Sequence, residues 1–212
     1  MKKLMIILSV IFITPTIAQT KLFVHPDAKE YVKNTRILAI LPLRVQVKLR
    51  PKQLKDFTSE QIAQMNISES LDIQKSMYTW FLTRKKRGSL LIKIQNPART
   101  NALLKKKGIN IHSMDEYLPS EIGEILGVEV IVNGAFETSK PMSTGAAIGL
   151  MVLTGGFFST NSAVMNMNFM STVDDELVVN YHKKVKGSIG SDAQDLINKL
   201  MRKVSRRIPY TR

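Results

Sequence analysis

Histidine, carboxylate and serine side chains are where chemistry would begin, and this chain spaces them poorly for it. His25, His112 and His182 lie far apart, and each lacks a His or acidic partner at metal-ligand spacing. Asp174-Asp175-Glu176 is a compact acidic cluster, but Asp in that setting forms turns. Gly187-Ser188-Ile189-Gly190-Ser191 holds Ser and Gly without the Gly-x-Ser-x-Gly order of a nucleophile elbow, and reads as a bend into the next helix. No phosphate loop, dinucleotide fingerprint or zinc-helix motif occurs, and the 212 residues contain no Cys. Met165, Met167 and Met170 suit irregular packing better than copper binding. The expectation is a non-catalytic protein with no metal and no cofactor. An envelope hydrolase is the competing class, and it lacks a nucleophile motif.

Two features ask instead for a binding partner. Gly145 to Phe158 carries no charge in fourteen residues. It holds Ile148, Leu150, Met151, Val152, Leu153, Phe157 and Phe158, with Gly145 and Gly149 four apart. Exposing all seven large side chains would forgo roughly 10–20 kcal/mol, against a net domain stability of ~5–15 kcal/mol. The segment therefore covers the sheet, forms a protein interface or dips into a membrane. The second feature is charge. There are 31 Lys+Arg against 17 Asp+Glu, a net +14. Arg84, Lys85, Lys86 and Arg87 end one helical stretch, Lys105, Lys106 and Lys107 a second, and Arg202, Lys203, Arg206 and Arg207 a third. Cations at helix C-termini gain ~0.3–1 kcal/mol each from the macrodipole. If the helices run antiparallel to their strands, the same ends gather into a rim for anionic lipid, anionic glycan or acidic protein.

The N-terminus gives an address. Lys2 and Lys3 precede an apolar run from Leu4 to Ile13; Pro15 follows, then small residues before Gln19. That is the layout of a secretory signal peptide cleaved near Ala18, and the run is too short to span a bilayer, which takes ~20 residues. Removal lowers the net charge to +12. Export argues against nucleic acid as the partner of the basic charge. It favours periplasmic or outer-membrane surfaces of a bacterial envelope, with another envelope protein or a second copy as partner.

The remaining chain, residues 19–212, reads as one domain with an apolar, Gly-rich insertion at 140–162. Residues 19–34 have no clear period and serve as a lead-in. Arg36–Pro42 is a continuous apolar run, the mark of a strand covered on both faces. Val45 to Lys55 is basic and mostly loop. Thr58-Ser59-Glu60-Gln61 fits a capping box opening a long helix. Its expected apolar stripe is Ala63, Ile67, Leu71, Tyr78, Phe81 and Leu82, with a stop near Gly88. A strand at Leu90–Ile94 leads to Asn96-Pro97, the cap and first residue of a helix ending at Gly108. Ser113–Leu126 is helical with a break near Pro119, and Val128–Glu137 is a third strand. Val164–Ser171 and Leu177–Val185 alternate. Met165, Met167 and Phe169 face one way and Asn166 and Asn168 the other, the pattern of an antiparallel hairpin with a wet face. A last helix shares Ala193, Ile197, Leu200 and Val204 on one face and ends at Pro209-Tyr210. The fold class is α/β: a mixed sheet of about five strands, three to four covering helices, and a C-terminal hairpin followed by a helix.

This arrangement, with the Glu121-Ile122-Gly123-Glu124-Ile125-Leu126-Gly127-Val128 helix-turn-strand unit, resembles a bacterial envelope α/β domain. That domain is shared by the curli-export channel lipoproteins, the N-terminal domain of TolB and the lipoprotein activators of penicillin-binding proteins. Lys140–Ala147 and Pro209-Tyr210 look similar to segments of exported Bacteroidota-type proteins. The chain departs from the lipoproteins in having no lipid-carrying Cys. The resemblance implies a binding or assembly module. A second reading is a subunit of an oligomeric outer-membrane assembly or secretion channel that uses 140–162 between subunits or in the membrane.

Overall fold

In the computed structural model, residues 20–49, 51–55, 57–138, 162–186, 193–204 and 207–212 are described. The elements are β1 (Thr20–Val24), α1 (Ala28–Asn34), β2 (Ile37–Ile40), β3 (Arg44–Val47), α2 (Pro51–Leu54), α3 (Ser59–Lys86), β4 (Lys93–Ile94), α4 (Pro97–Lys106), α5 (Pro119–Leu126), β5 (Val130–Thr138), β6 (Ser162–Ser171), β7 (Leu177–Lys186) and α6 (Ala193–Val204). The protein is α/β, with a mixed sheet in the order β1-β7-β6-β5-β2-β4. The β6–β7 hairpin and the helix after it lie where the pattern places them.

Pro42 explains how two short strands share one edge. β2 pairs in parallel with Val130–Val132 of β5, and β3 pairs in parallel with Ala135–Thr138 of the same strand. Pro42 has no N–H to continue the ladder, so the chain leaves the sheet at Leu41 and rejoins it at Arg44. Leu38 and Ile40 face one core with Ile73, Met77 and Phe81 of α3 and five apolar residues of α6. Ala39 and Leu41 face a second core with Leu104 of α4 and Ile122 and Leu126 of α5. Successive strand residues therefore serve opposite layers, which is what continuous apolarity required. On α6, Leu196, Ile197, Leu200, Met201 and Val204 are buried, worth roughly 7–15 kcal/mol before ordering costs.

The capping box at Thr58 is present: the Gln61 N–H donates to Thr58 Oγ1 (3.2 Å) and the Thr58 N–H to Gln61 Oε1 (2.8 Å). The stripe assigned to that helix is wrong. Ala63, Leu71 and Leu82 are exposed, Ile67 and Tyr78 are half-buried, and of the six only Phe81 is buried. The buried face holds Met65, Glu69, Ser70, Ile73, Gln74, Met77 and Phe81. α3 crosses the break at Pro42, where carbonyls lack a strand partner and must find one elsewhere. Ser70 Oγ donates to the Leu43 carbonyl (2.6 Å) and Gln74 Nε2 to that of Ile40 (2.7 Å). Hydrophobicity alone misses a face whose polar members answer a broken strand.

Three further expectations need correction. Residues 20–34 form β1 and α1, not a featureless lead-in; β1 pairs with β7, Thr20 to Lys183 through Val24 to Val179. Val45 lies within β3, so the sheet has seven strands where about five were expected. The Leu90–Ile94 strand shortens to Lys93–Ile94, because Leu90 and Leu91 turn to the chain's C-terminal residues. Leu91 N donates to Tyr210 O (3.0 Å) and Arg212 N to Ser89 O (2.8 Å).

The Ile122–Val128 unit owes its pattern to two close approaches. A Cβ on Gly123 would stand 2.2 Å from Thr172 Cβ, so glycine lets α5 lie directly on the chain leaving β6. Thr172 Oγ1 donates to the Val128 carbonyl (2.6 Å). Gly127 closes the helix at φ 67°, a left-handed cap that glycine adopts without strain.

Candidate functional site

The acidic turn between β6 and β7 is a fastener. Asp175, at φ 61°, accepts from Ser120 N (2.6 Å) and Ser120 Oγ (3.0 Å), and so holds the start of α5. Asp174 accepts from Tyr31 Oη (2.7 Å), which pushes the Tyr31 phenol up to about 12. Partial burial opposes the Asp174 charge, but bonds from Ser171 and Tyr31 hold its carboxyl below the usual range. Glu129 does related work at the start of β2. Its carboxylate accepts from Ile37 N (2.8 Å), Arg36 N (3.1 Å) and Arg36 Nε (3.0 Å). Burial again opposes the charge, and these donors win, lowering its pKa.

The histidines stay apart. His25 Nδ1 accepts from Asp27 N (3.1 Å) and lies 3.9 Å from the Asp27 carboxylate, a pairing the sequence reading had not given it. His112 is exposed, and His182 stands opposite Asn166 and Lys21. Among the described residues no group of three His, Cys, Asp or Glu is placed to hold a metal ion, and no helix is long and apolar enough to cross a membrane.

Of the expected binding surfaces, the apolar segment with Ile148, Leu150, Met151, Val152, Leu153, Phe157 and Phe158 lies outside the described residues, as do Gly145, Gly149, Arg206 and the 187–191 bend. Arg84, Lys85 and Lys86 occupy the last turn of α3. Lys105 and Lys106 end α4, and Arg202 and Lys203 end α6. The Arg84 guanidinium lies 4.6 Å over the Trp80 ring. The Ser89–Arg212 and Leu91–Tyr210 bonds bring the end of α3 beside the C-terminal residues that follow Arg207. α3 and α6 pack on one face of the sheet and α4 on the other.

A feature the sequence reading did not single out is a cavity of about 390 Å³ outside the carboxyl end of β2. Its floor is the half-exposed face of β5 and β6, where Asn133, Asn166 and Asn168 stand. Asn133 pairs with Asn168 and Asn168 with Asn180, a row of amides across three strands. Asn180 Nδ2 donates to Asn168 Oδ1 (2.6 Å) and Asn166 Oδ1 (2.9 Å), and Asn168 Nδ2 to Asn133 Oδ1 (3.2 Å). Met114 and Tyr117 form a wall, and an Arg44–Asp115 ion pair stands at one end. Gly134 has φ 149°, and a Cβ there would meet the Asn166 carbonyl oxygen at 2.0 Å. The alternating Asn pattern was legible as a wet strand face; that a loop roofs it was not.

No family model matches the chain, and no curated protein matches it. Solved structures with a similar course include lipoprotein GNA1162 from Neisseria meningitidis, at TM-score 0.48 and 8% identity, covering 82% of this chain and 97% of that one. The PelC dodecamer from Paraburkholderia phytofirmans has TM-score 0.43 and 10% identity, covering 88% and 93%. The LpoB C-terminal domain from Salmonella enterica has TM-score 0.30 and 8% identity, covering 76% and 92%. Values this low make none of them a relative whose function carries over.

Proposed function

We propose that this is an exported, non-catalytic module of the bacterial cell envelope that acts by docking through the apolar segment between β5 and β6. The observation that carries the reading is the register of those strands. They pair directly up to Thr138 and Ala163, so a two-residue turn would join them. The chain instead spends residues 139–161 there, including the fourteen-residue uncharged stretch 145–158 that is rich in large apolar side chains. Neither the sheet ladder nor strand connection requires that length. An apolar tract of this size needs a dry surface, which a partner or a bilayer would supply if the domain's own sheet does not. The basic helix ends supply a second, electrostatic attraction to anionic lipid or an acidic partner. A subunit role in an outer-membrane assembly is the second reading, favoured by Gly145 and Gly149, whose spacing allows close backbone approach between copies.

The test compares the native chain with a variant in which residues 145–158 are replaced by a short Gly-Ser linker. The variant is expected to keep its far-UV circular dichroism and cooperative unfolding while losing co-sedimentation with the envelope membrane fraction. Loss of cooperative unfolding would place the segment in the monomer's own core and defeat the proposal, as would unchanged co-sedimentation. Detergent-dependent rings that vanish with the segment would select the assembly reading.

A further inference from the structure

We infer that the Asn-floored cavity beyond β2 binds a neutral saccharide. This inference concerns a different surface from the docking segment and stands independently of it. Three observations converge on a site.

The first is position. In open α/β sheets, ligands collect outside the carboxyl ends of parallel strands, and this cavity is lined by Leu41 and Pro42, which follow the end of β2 at Ile40. The second is a conflict between residue type and secondary structure. Asn is depleted in strands, which favour β-branched and aromatic side chains. Here four Asn share one face of β5, β6 and β7, and local rules broken in concert mark function more than folding. The third is Gly134, in the interior of β5. Glycine weakens a strand and marks close backbone approach, and here it brings β5 against Asn166 beneath the cavity.

The chemistry of the lining selects the ligand. The hydrogen bonds within the row occupy the Oδ1 atoms of Asn133, Asn166 and Asn168. The Nδ2 groups of Asn133 and Asn166 have no acceptor among the described residues, and each Oδ1 keeps a second lone pair, so the floor offers amides that can both donate and accept. Arg44 is paired with Asp115, and among the described residues no other charged side chain lines the cavity. The site therefore takes an uncharged ligand whose polar groups both accept and donate. A sugar hydroxyl accepts from an amide and turns its own proton elsewhere. Met114 and Tyr117 give its C–H face an apolar wall. A volume of about 390 Å³ lies within the ~300–1,000 Å³ of small-ligand pockets.

The test is an amide-resolved NMR titration of the full mature chain with chitotriose, cellotriose and, as the charged comparator, trigalacturonate. Saturable shifts are expected at the side-chain amides of Asn133, Asn166 and Asn168 with a neutral trisaccharide. Asn133→Thr and Asn166→Thr put a strand-favouring residue in place of each amide. Each is expected to weaken binding about tenfold through loss of the amide contacts while leaving Tm equal or higher. A fall in Tm with binding unchanged would make the row structural and overturn the inference. So would the absence of saturable shifts at these amides up to about 10 mM of either neutral sugar, or a preference for the charged comparator.

Discussion

Replacing Gly123 by Ala puts a methyl group where Thr172 already stands. The new Cβ would lie 2.2 Å from Thr172 Cβ, 2.6 Å from its Oγ1 and 2.7 Å from its Cγ2, whereas carbon atoms in contact rest at ~3.5–4.0 Å. The nearest atom is the neighbour's own Cβ, so no rotamer change relieves the overlap and the two backbones must part by about 1.5 Å. Overpacking of this kind costs ~1–3 kcal/mol. Alanine's better helix propensity returns up to ~1 kcal/mol. Displacing Thr172 also strains its bond to the Val128 carbonyl, a loss of about 1 kcal/mol. The net expectation is ~1–3 kcal/mol of destabilisation. Urea denaturation should show a lower midpoint with an unchanged slope, and Tm should fall by roughly 2–10 °C. Thr172→Gly in the same chain removes all three contacting atoms, so the double variant should lose less than the sum of the two single changes. A Gly123→Ala midpoint equal to or above wild type would refute the reasoning, because the helix would then have room that the geometry denies it.

Glu129→Gln keeps the shape of the side chain and removes the charge that the Arg36 and Ile37 donors hold, for a loss of about 1–2 kcal/mol at neutral pH. Because the folded pKa of Glu129 is lowered, its contribution is present above the usual carboxylate range and disappears as pH falls through the folded value. Thermal melts between neutral and acid pH should therefore converge for wild type and variant, and parallel curves would refute this. Tyr181 is buried with its hydroxyl unpaired among the described residues, and burial pushes its phenol up to about 12. Tyr181→Phe should consequently be neutral or stabilising; a loss of more than about 1 kcal/mol in urea would show that the hydroxyl is satisfied after all.

Where hydrophobic pattern and backbone geometry agreed, the sequence was readable. Ile37–Ile40, the hairpin with Met165, Met167 and Phe169 inward, and the caps at Thr58, Asn96 and Gly127 all follow from local chemistry. The failures share a cause. β1 and β3 are short edge segments whose Lys21, Arg44 and Gln46 dilute apolarity, and long-range pairing with β7 and β5 makes them strands. On α3, Ser70 and Gln74 are buried because carbonyls at a broken strand need donors, a requirement that lies in another segment. The Asn-floored cavity was hidden for the same reason. Its amides were visible one strand at a time, but their row forms only when Asn133, Asn168 and Asn180 come into register.

The two ends of the chain finish the molecule late. Thr20 meets Lys183 across 163 positions, and Tyr210 stacks on Phe169 at 5.5 Å while its backbone clasps Leu91. A polypeptide delivered N-terminus first has to leave its β1 strand unmated until β7 has followed, and Phe169 lacks its stacking partner until Tyr210 arrives. Such wiring delays closure. On any route that threads a linear chain, these contacts form only after nearly all of that chain has passed.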